Sequence, residues 1–139
     1  MHEYARRTRT GEAILPPCDV LIARDPLRTR QPDGLFISKD QLTFCGKPDE
    51  PLPLLAAPEL VVETLFPGED PRQRADKIAD YCAVGVHECW IANRDANALE
   101  VLRLSRAGAE LVAVYERGQT VTCLTFADLF VPVDDIFAE

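Results

Sequence analysis

Histidine, lysine and long apolar runs are scarce in this chain, and each shortage removes a class of chemistry. Only His2 and His87 are present, and the five cysteines (Cys18, Cys45, Cys82, Cys89, Cys123) form no CxxC pair and stand at no zinc-finger spacing from either histidine. A Cys/His zinc site is therefore disfavoured. The odd cysteine count also argues against a disulfide framework and for a reducing compartment. Cys18, Cys82, Cys89 and Cys123 lie in apolar stretches, where a free thiol behaves as a small hydrophobe. No run approaches the ~20 apolar residues of a membrane span. Near the N-terminus, Glu12 and Asp19 interrupt anything resembling a signal-peptide apolar region. Repeats and low-complexity tracts are absent as well.

What is present suits a globular chain. With 139 residues and 47% hydrophobic content, a core can form without disulfides. The expectation is a single cytoplasmic domain over residues 1–139, with 1–11 as an N-terminal arm. Net charge is -8, which by itself speaks against phosphate binding. Its distribution matters more. Residues 1–49 carry eight basic and seven acidic side chains, whereas 50–139 carry seven basic and sixteen acidic ones. The acid excess sits wholly in the second part, and Arg24, Arg28 and Arg30 gather in the first.

The order of elements reads as strands, one helix, then more strands. Ala13 to Leu15 and Asp19 to Ala23 are short apolar runs parted by Pro16-Pro17, and Asp25-Pro26 opens an arginine-rich loop. Gly34 to Ile37 reads as a buried strand, Gly46 to Pro53 as a surface loop, and Leu60 to Val62 as the central strand. The one convincing helix spans about 71–84, with Asp70 as N-cap, Pro71 in the first turn and Gly85 as its left-handed terminator. Ala75, Ile78, Ala79, Cys82 and Ala83 recur at helical spacing as its expected buried stripe. A strand at His87 to Ala92 and a meander through Leu99–Leu104, Leu111–Tyr115 and Val121–Leu124 follow, and Val133 to Phe137 closes as a helical turn. The fold class is α+β, with one mixed sheet and few helices.

Two acids stand where structure alone does not require them. Asp33 follows Pro32 at the mouth of a strand, and Glu63 sits inside the apolar run Leu60-Val61-Val62-Glu63-Thr64-Leu65-Phe66. A carboxylate there must be paired, hydrogen-bonded or metal-bound; an arginine partner or a water-facing strand end would serve Glu63 equally. Two carboxylates on neighbouring strands can hold Mg²⁺, which takes one or two protein carboxylates plus water and phosphate. Lys77 lies in the helix after Glu63 and shares a face with Tyr81, four residues on. A helical lysine alone is usually a solvated charge.

Taken in order, Pro32-Asp33, Pro58-Glu59-Leu60-Val61-Val62-Glu63 and Lys77-x-x-x-Tyr81-x-x-x-Gly85-Val86-x-Glu88-x-Trp90 resemble the bacterial Uma family, a branch of the PD-(D/E)XK nucleases. The resemblance runs over residues 12–139. It implies a restriction-endonuclease-like fold with a mixed central β-sheet, one main helix and a C-terminal β-meander. It also implies that Asp33, Glu63 and the main-chain carbonyl of Thr64 hold Mg²⁺ or Mn²⁺. The motif's lysine is expected two residues after the acid, where Leu65 stands, so its role passes to Lys77, with Tyr81 in support. The implied function is metal-dependent endonuclease action on DNA. Arg24, Arg28 and Arg30 sit in segments near the Asp33 strand, which suits contact with backbone phosphates and equally suits solvated loop charges. The alternative is a catalytically impaired nuclease fold serving as an interaction or assembly module.

The resemblance also implies a further N-terminal region with a helix over one sheet face, which is expected to be missing here. The face so exposed is expected to be covered by a second copy, making a homodimer or higher homo-oligomer. Light scattering at micromolar concentration should report a mass above that of one chain; a monodisperse monomer would remove the expectation.

Overall fold

The computed structural model describes residues 11–14, 19–24, 27–42 and 57–137, apart from the side chains of 11–14, 24 and 42. The expected loop at 46–53, Cys18, Cys45, His2 and most of the N-terminal arm lie outside them. Among the described residues, ten strands and three helices follow one another. They are β1 (Gly11–Ile14), β2 (Val20–Arg24), β3 (Leu27–Arg30), β4 (Gly34–Ser38), α1 (Lys39–Leu42), β5 (Leu60–Leu65), α2 (Pro71–Val84), β6 (Glu88–Asn93), β7 (Ala98–Ser105), β8 (Gly108–Glu116), β9 (Thr120–Thr122), β10 (Phe130–Pro132) and α3 (Val133–Phe137).

The central sheet has six strands in the order β1-β4-β5-β6-β7-β8. β5 and β6 run parallel, while the other pairs are antiparallel. The sheet is thus mixed, in line with the expectation from sequence. A parallel pair needs a crossover, and α2 supplies it. Its start is fixed locally: the Asp70 carboxylate accepts from the Arg72 N–H at 2.9 Å, with Pro71 in the first turn. Its end is fixed by Gly85 at φ +94°, where the Gly85 and Val86 N–H groups donate to the carbonyls of Cys82 and Tyr81.

Alternation along the strands splits the core in two. Phe36, Leu60, Val62, Trp90, Leu99 and Val101 line one face and pack under the β9–β10 hairpin and α3. Leu35, Ile37, Val61, Cys89, Ile91, Leu102 and Leu104 line the other, under Tyr81 and Cys82 of α2 and Val20 of β2. Cys82, Cys89 and Cys123 are free and buried, and burial pushes the Cys89 thiol above its ordinary range and Cys123 up to about 12. Their burial matches the expectation of small buried hydrophobes. No helix among the described residues is long and apolar enough to cross a membrane.

Two expectations change. The arginine-rich segment after Pro26 is a strand, not a loop: β3 pairs with β2 around a bulge between Leu21 and Ala23. Its charged side chains find a partner on α2, so polarity there does not mean loop. The buried face of α2 is also rotated from the alanine stripe. Tyr81 and Cys82 are buried and Ile78 partly so, while Ala75, Ala79 and Ala83 are exposed. The larger side chains win the sheet because they bury more apolar surface.

Glu88 opens β6 with its side chain fully buried. It accepts from the indole Nε1 of Trp90 at 2.8 Å, the N–H groups of Leu124 and Thr125 at 3.0 and 2.9 Å, the Thr125 hydroxyl at 2.9 Å and the Cys123 thiol at 3.1 Å. A buried carboxylate survives when its lone pairs are filled in this way. Glu88→Ala is expected to lower unfolding free energy by about 3 kcal/mol in urea titrations, because several buried donors lose their acceptor together. Glu88→Gln, which keeps one carbonyl oxygen, should cost less. An alanine variant as stable as the parent would contradict this role.

Candidate active site

The expected site residues come together at the C-terminal end of β5. Asp33 precedes β4, and its backbone N–H donates to the Val62 carbonyl at 3.0 Å, extending the ladder that ends at Gly34 opposite Val62. Its carboxylate Oδ2 then accepts from the Thr64 N–H at 2.7 Å. Extended backbone points the N–H and C=O of one residue to the same side, so the Thr64 carbonyl also faces the edge that Asp33 occupies. Pro32 is buried and Asp33 exposed, which sends the chain out of the core just where the carboxylate is needed.

Glu63 alternates with Val62 and faces α2 together with Val61. It is 8% exposed, and its Oε1 accepts from the Tyr81 hydroxyl at 2.7 Å. Burial pushes its carboxyl above the ordinary carboxylate range and the nearby Asp33 charge adds to this, against the lowering effects of the Tyr81 hydrogen bond and Lys77. Tyr81 is itself pushed well above the ordinary phenol value by burial and by the Glu63 charge, so it stays a donor.

Lys77 Nζ lies 3.7 Å from Glu63 Oε2 and 3.1 Å from Glu69 Oε1. The first contact is ionic only; the second is a hydrogen bond. Burial works to lower Lys77, but Glu69, Glu63 and Asp33 together outweigh it and leave its value raised. The acidic neighbours thus favour the charged form of Lys77.

Glu69 is the residue that sequence reasoning missed. It enters through the turn Phe66-Pro67-Gly68-Glu69, closed by a 3.1 Å bond from the Glu69 N–H to the Phe66 carbonyl, with Gly68 at φ +80°. Proline followed by a positive-φ glycine is a type II turn signal, and it could have marked the fold-back. Glu63, Thr64, Glu69, Arg74 and Lys77 line a small cleft walled by Leu65, Ile78 and Ile91. Arg74 is held to Glu100 of β7 at 2.8 Å.

The arginines fall differently. Arg28 and Arg30 both bond to Asp80 of α2. Arg24 ends β2, and its side chain lies outside the described residues.

Among the described residues no three or more His, Cys, Asp or Glu side chains gather as a metal cluster. The oxygen donors on offer are two carboxylates, Asp33 and Glu63, and the Thr64 carbonyl. That set is hard and oxygen-only, which suits Mg²⁺ or Mn²⁺ and not zinc. The fit has an electrostatic sign as well: Asp33 raises Glu63 by repulsion, which a bound cation would relieve.

Comparison with known proteins gives a consistent picture. The family model Uma2, described as "Putative restriction endonuclease", matches residues 1–134. The crystal structure of a "putative nuclease belonging to DUF820" from Anabaena variabilis ATCC 29413 matches with TM-score 0.70 at 18% identity, covering 98% of this chain and 73% of that one. At that identity the likeness concerns the fold. No curated protein matches.

The raised Glu63 carboxyl carries a pH dependence. Protonated Glu63 favours the folded protein; that contribution is whole below its ordinary value of 4.5 and is lost as pH rises through the higher folded value. In chelator, Glu63→Gln is therefore expected to raise the thermal midpoint at about pH 7. The gain should shrink to nothing as pH falls below the ordinary value. A variant no more stable than the parent at neutral pH would mean that Tyr81 and Lys77 fully offset the burial.

Proposed function

The chain belongs to the Uma2 family, and on that footing we propose that it is a metal-dependent endonuclease hydrolysing DNA phosphodiester bonds. The observation that carries the reading is the convergence of Asp33, Glu63, Lys77 and Tyr81 at one end of β5. There Lys77 stands among the carboxylates of Glu63 and Glu69 and within reach of the Asp33 charge.

Asp33, Glu63 and the Thr64 carbonyl would hold Mg²⁺ or Mn²⁺, which when bound supplies polarisation of a phosphate oxygen and a water of lowered pKa. The protein's own residues do the rest. The Thr64 N–H fixes Asp33 through Oδ2 and leaves Oδ1 for a ligand. The Tyr81 hydroxyl fixes Glu63 through Oε1 and leaves Oε2, the oxygen nearer Lys77. Each acid is thus oriented by a donor that does not compete for its second oxygen, as preorganised ligands require. Lys77, held protonated, can donate to a phosphate oxygen as negative charge builds up in the transition state. The low exposure of Glu63 strengthens that interaction.

The assembly reading rests on a different observation. The outermost strand β8 exposes Leu111, Val112 and Val114, and an apolar sheet edge is a surface on which copies pair. A homo-oligomer built there is compatible with the nuclease reading.

Cleavage of supercoiled plasmid with Mg²⁺ or Mn²⁺ tests the assignment. Asp33→Ala, Glu63→Ala and Lys77→Ala should each reduce the rate by roughly a hundredfold or more, the usual cost of losing a charge-stabilising group. Tyr81→Phe should fall less. Activity in Glu63→Ala equal to the parent's would sink the site, and activity in neither would favour the assembly reading.

A further inference from the structure

β3 and α2 build a cationic cluster that the site above does not use. Arg28 and Arg30 are two residues apart on β3 and so project from the same face. Asp80 lies on α2 three residues after Lys77 and one before Tyr81, on the helical face that carries Lys77. Asp80 Oδ2 accepts from Arg28 Nη2 at 2.6 Å and from Arg30 Nε at 2.7 Å.

The charges do not cancel. Two guanidiniums meet one carboxylate, so the triad carries a net +1. Exposure is graded outward: the side chains of Asp80, Arg30 and Arg28 are 15%, 28% and 52% exposed. The anion sits below and the cations above it, facing solvent. Arg30 is engaged through Nε, and among the described residues no other acceptor engages its terminal nitrogens. Those nitrogens form the fork that binds a phosphate bidentately. The hydrogen bonds from Arg30 and Arg28 outweigh burial and hold Asp80 below the ordinary carboxylate range, so the clamp stays ionised at neutral pH. Arg30 is also close enough for its charge to act on Tyr81, the residue that holds Glu63.

We infer that Arg28 and Arg30, held side by side by Asp80, form a phosphate-binding subsite for a backbone phosphodiester of the DNA cleaved at Glu63. Asp80 is a positioning residue here: it fixes two flexible cations in advance and lowers the entropic cost of ordering them on the ligand. The inference rests on the nuclease reading and extends it, giving the DNA a second anchor along α2. A contact of this kind positions the duplex and carries no sequence preference.

Fluorescence anisotropy with a double-stranded oligonucleotide in EDTA, across a salt series, separates the possibilities without relying on cleavage. Arg28→Gln and Arg30→Gln should each make the slope of log affinity against log salt shallower by about 0.9. The triple variant Arg28→Gln/Arg30→Gln/Asp80→Asn removes all three charges together and so leaves no unpaired carboxylate, and it should show the same combined loss with an unchanged thermal midpoint. Asp80→Asn should weaken binding at fixed salt although it makes the protein more positive. Tighter binding there would overturn the positioning role by showing Asp80 to be a competing anion. Parent-like slopes in the triple variant, with the parent binding DNA, would overturn the subsite alone. A parent that does not bind DNA would overturn the nuclease reading and the subsite together.

Discussion

The buried carboxylate of Glu88 is the interaction on which the two halves of the core depend. It opens β6, the strand paired parallel to β5 and antiparallel to β7. It also accepts hydrogen bonds from three consecutive residues, Cys123, Leu124 and Thr125, of the segment that leaves β9. The C-terminal cover over Phe36, Trp90 and Leu99 is thereby fixed to the middle of the sheet. On the opposite face α2 packs against the sheet and brings Lys77 and Tyr81 to Glu63. Structure and site use the same residue type in opposite ways. Glu88 has its lone pairs filled by neutral donors, whereas Glu63 has one oxygen held by Tyr81 and the other turned toward a cation.

That contrast is one between stability and function. Glu88 is satisfied and contributes to the fold. Glu63 is buried near Asp33, and both its burial and that neighbour oppose its ionisation. Strained ionisation of this kind is commoner at functional sites than in the scaffold that carries them.

Much of this is legible in the sequence because it depends on local rules. Asp70-Pro71 and Gly85 set both ends of α2 through capping chemistry, and alternation along Leu60–Thr64 is enough to assign Glu63 to its face. Asp33, Glu63, Lys77 and Tyr81 are singled out as one site only through the family resemblance, and the fold brings them to one end of β5. What is not legible depends on tertiary partners. β3 reads as a loop until Asp80 is seen to neutralise part of its charge. The alanines of α2 read as core until Tyr81 and Ile78 compete with them for the sheet. Glu69 is invisible in one dimension because the Pro67-Gly68 turn reverses the chain and carries it back beside a lysine eight residues later. Glu88 looks like one more acid in an acidic half until its donors are counted.

The parallel pairing of β5 with β6 has a dynamic consequence. Because α2 is the crossover between them, it is anchored at both ends by the strands, while its middle rests on the sheet through few side chains, chiefly Tyr81 and Cys82 with Ile78 partly buried. Loosening of that middle turn would hydrate Glu63, and hydration favours its ionised form. Proton loss at one carboxylate and breathing of one helix are therefore two readouts of a single equilibrium, so amide exchange along 77–82 should quicken with the ionisation of Glu63 beyond what base catalysis alone produces.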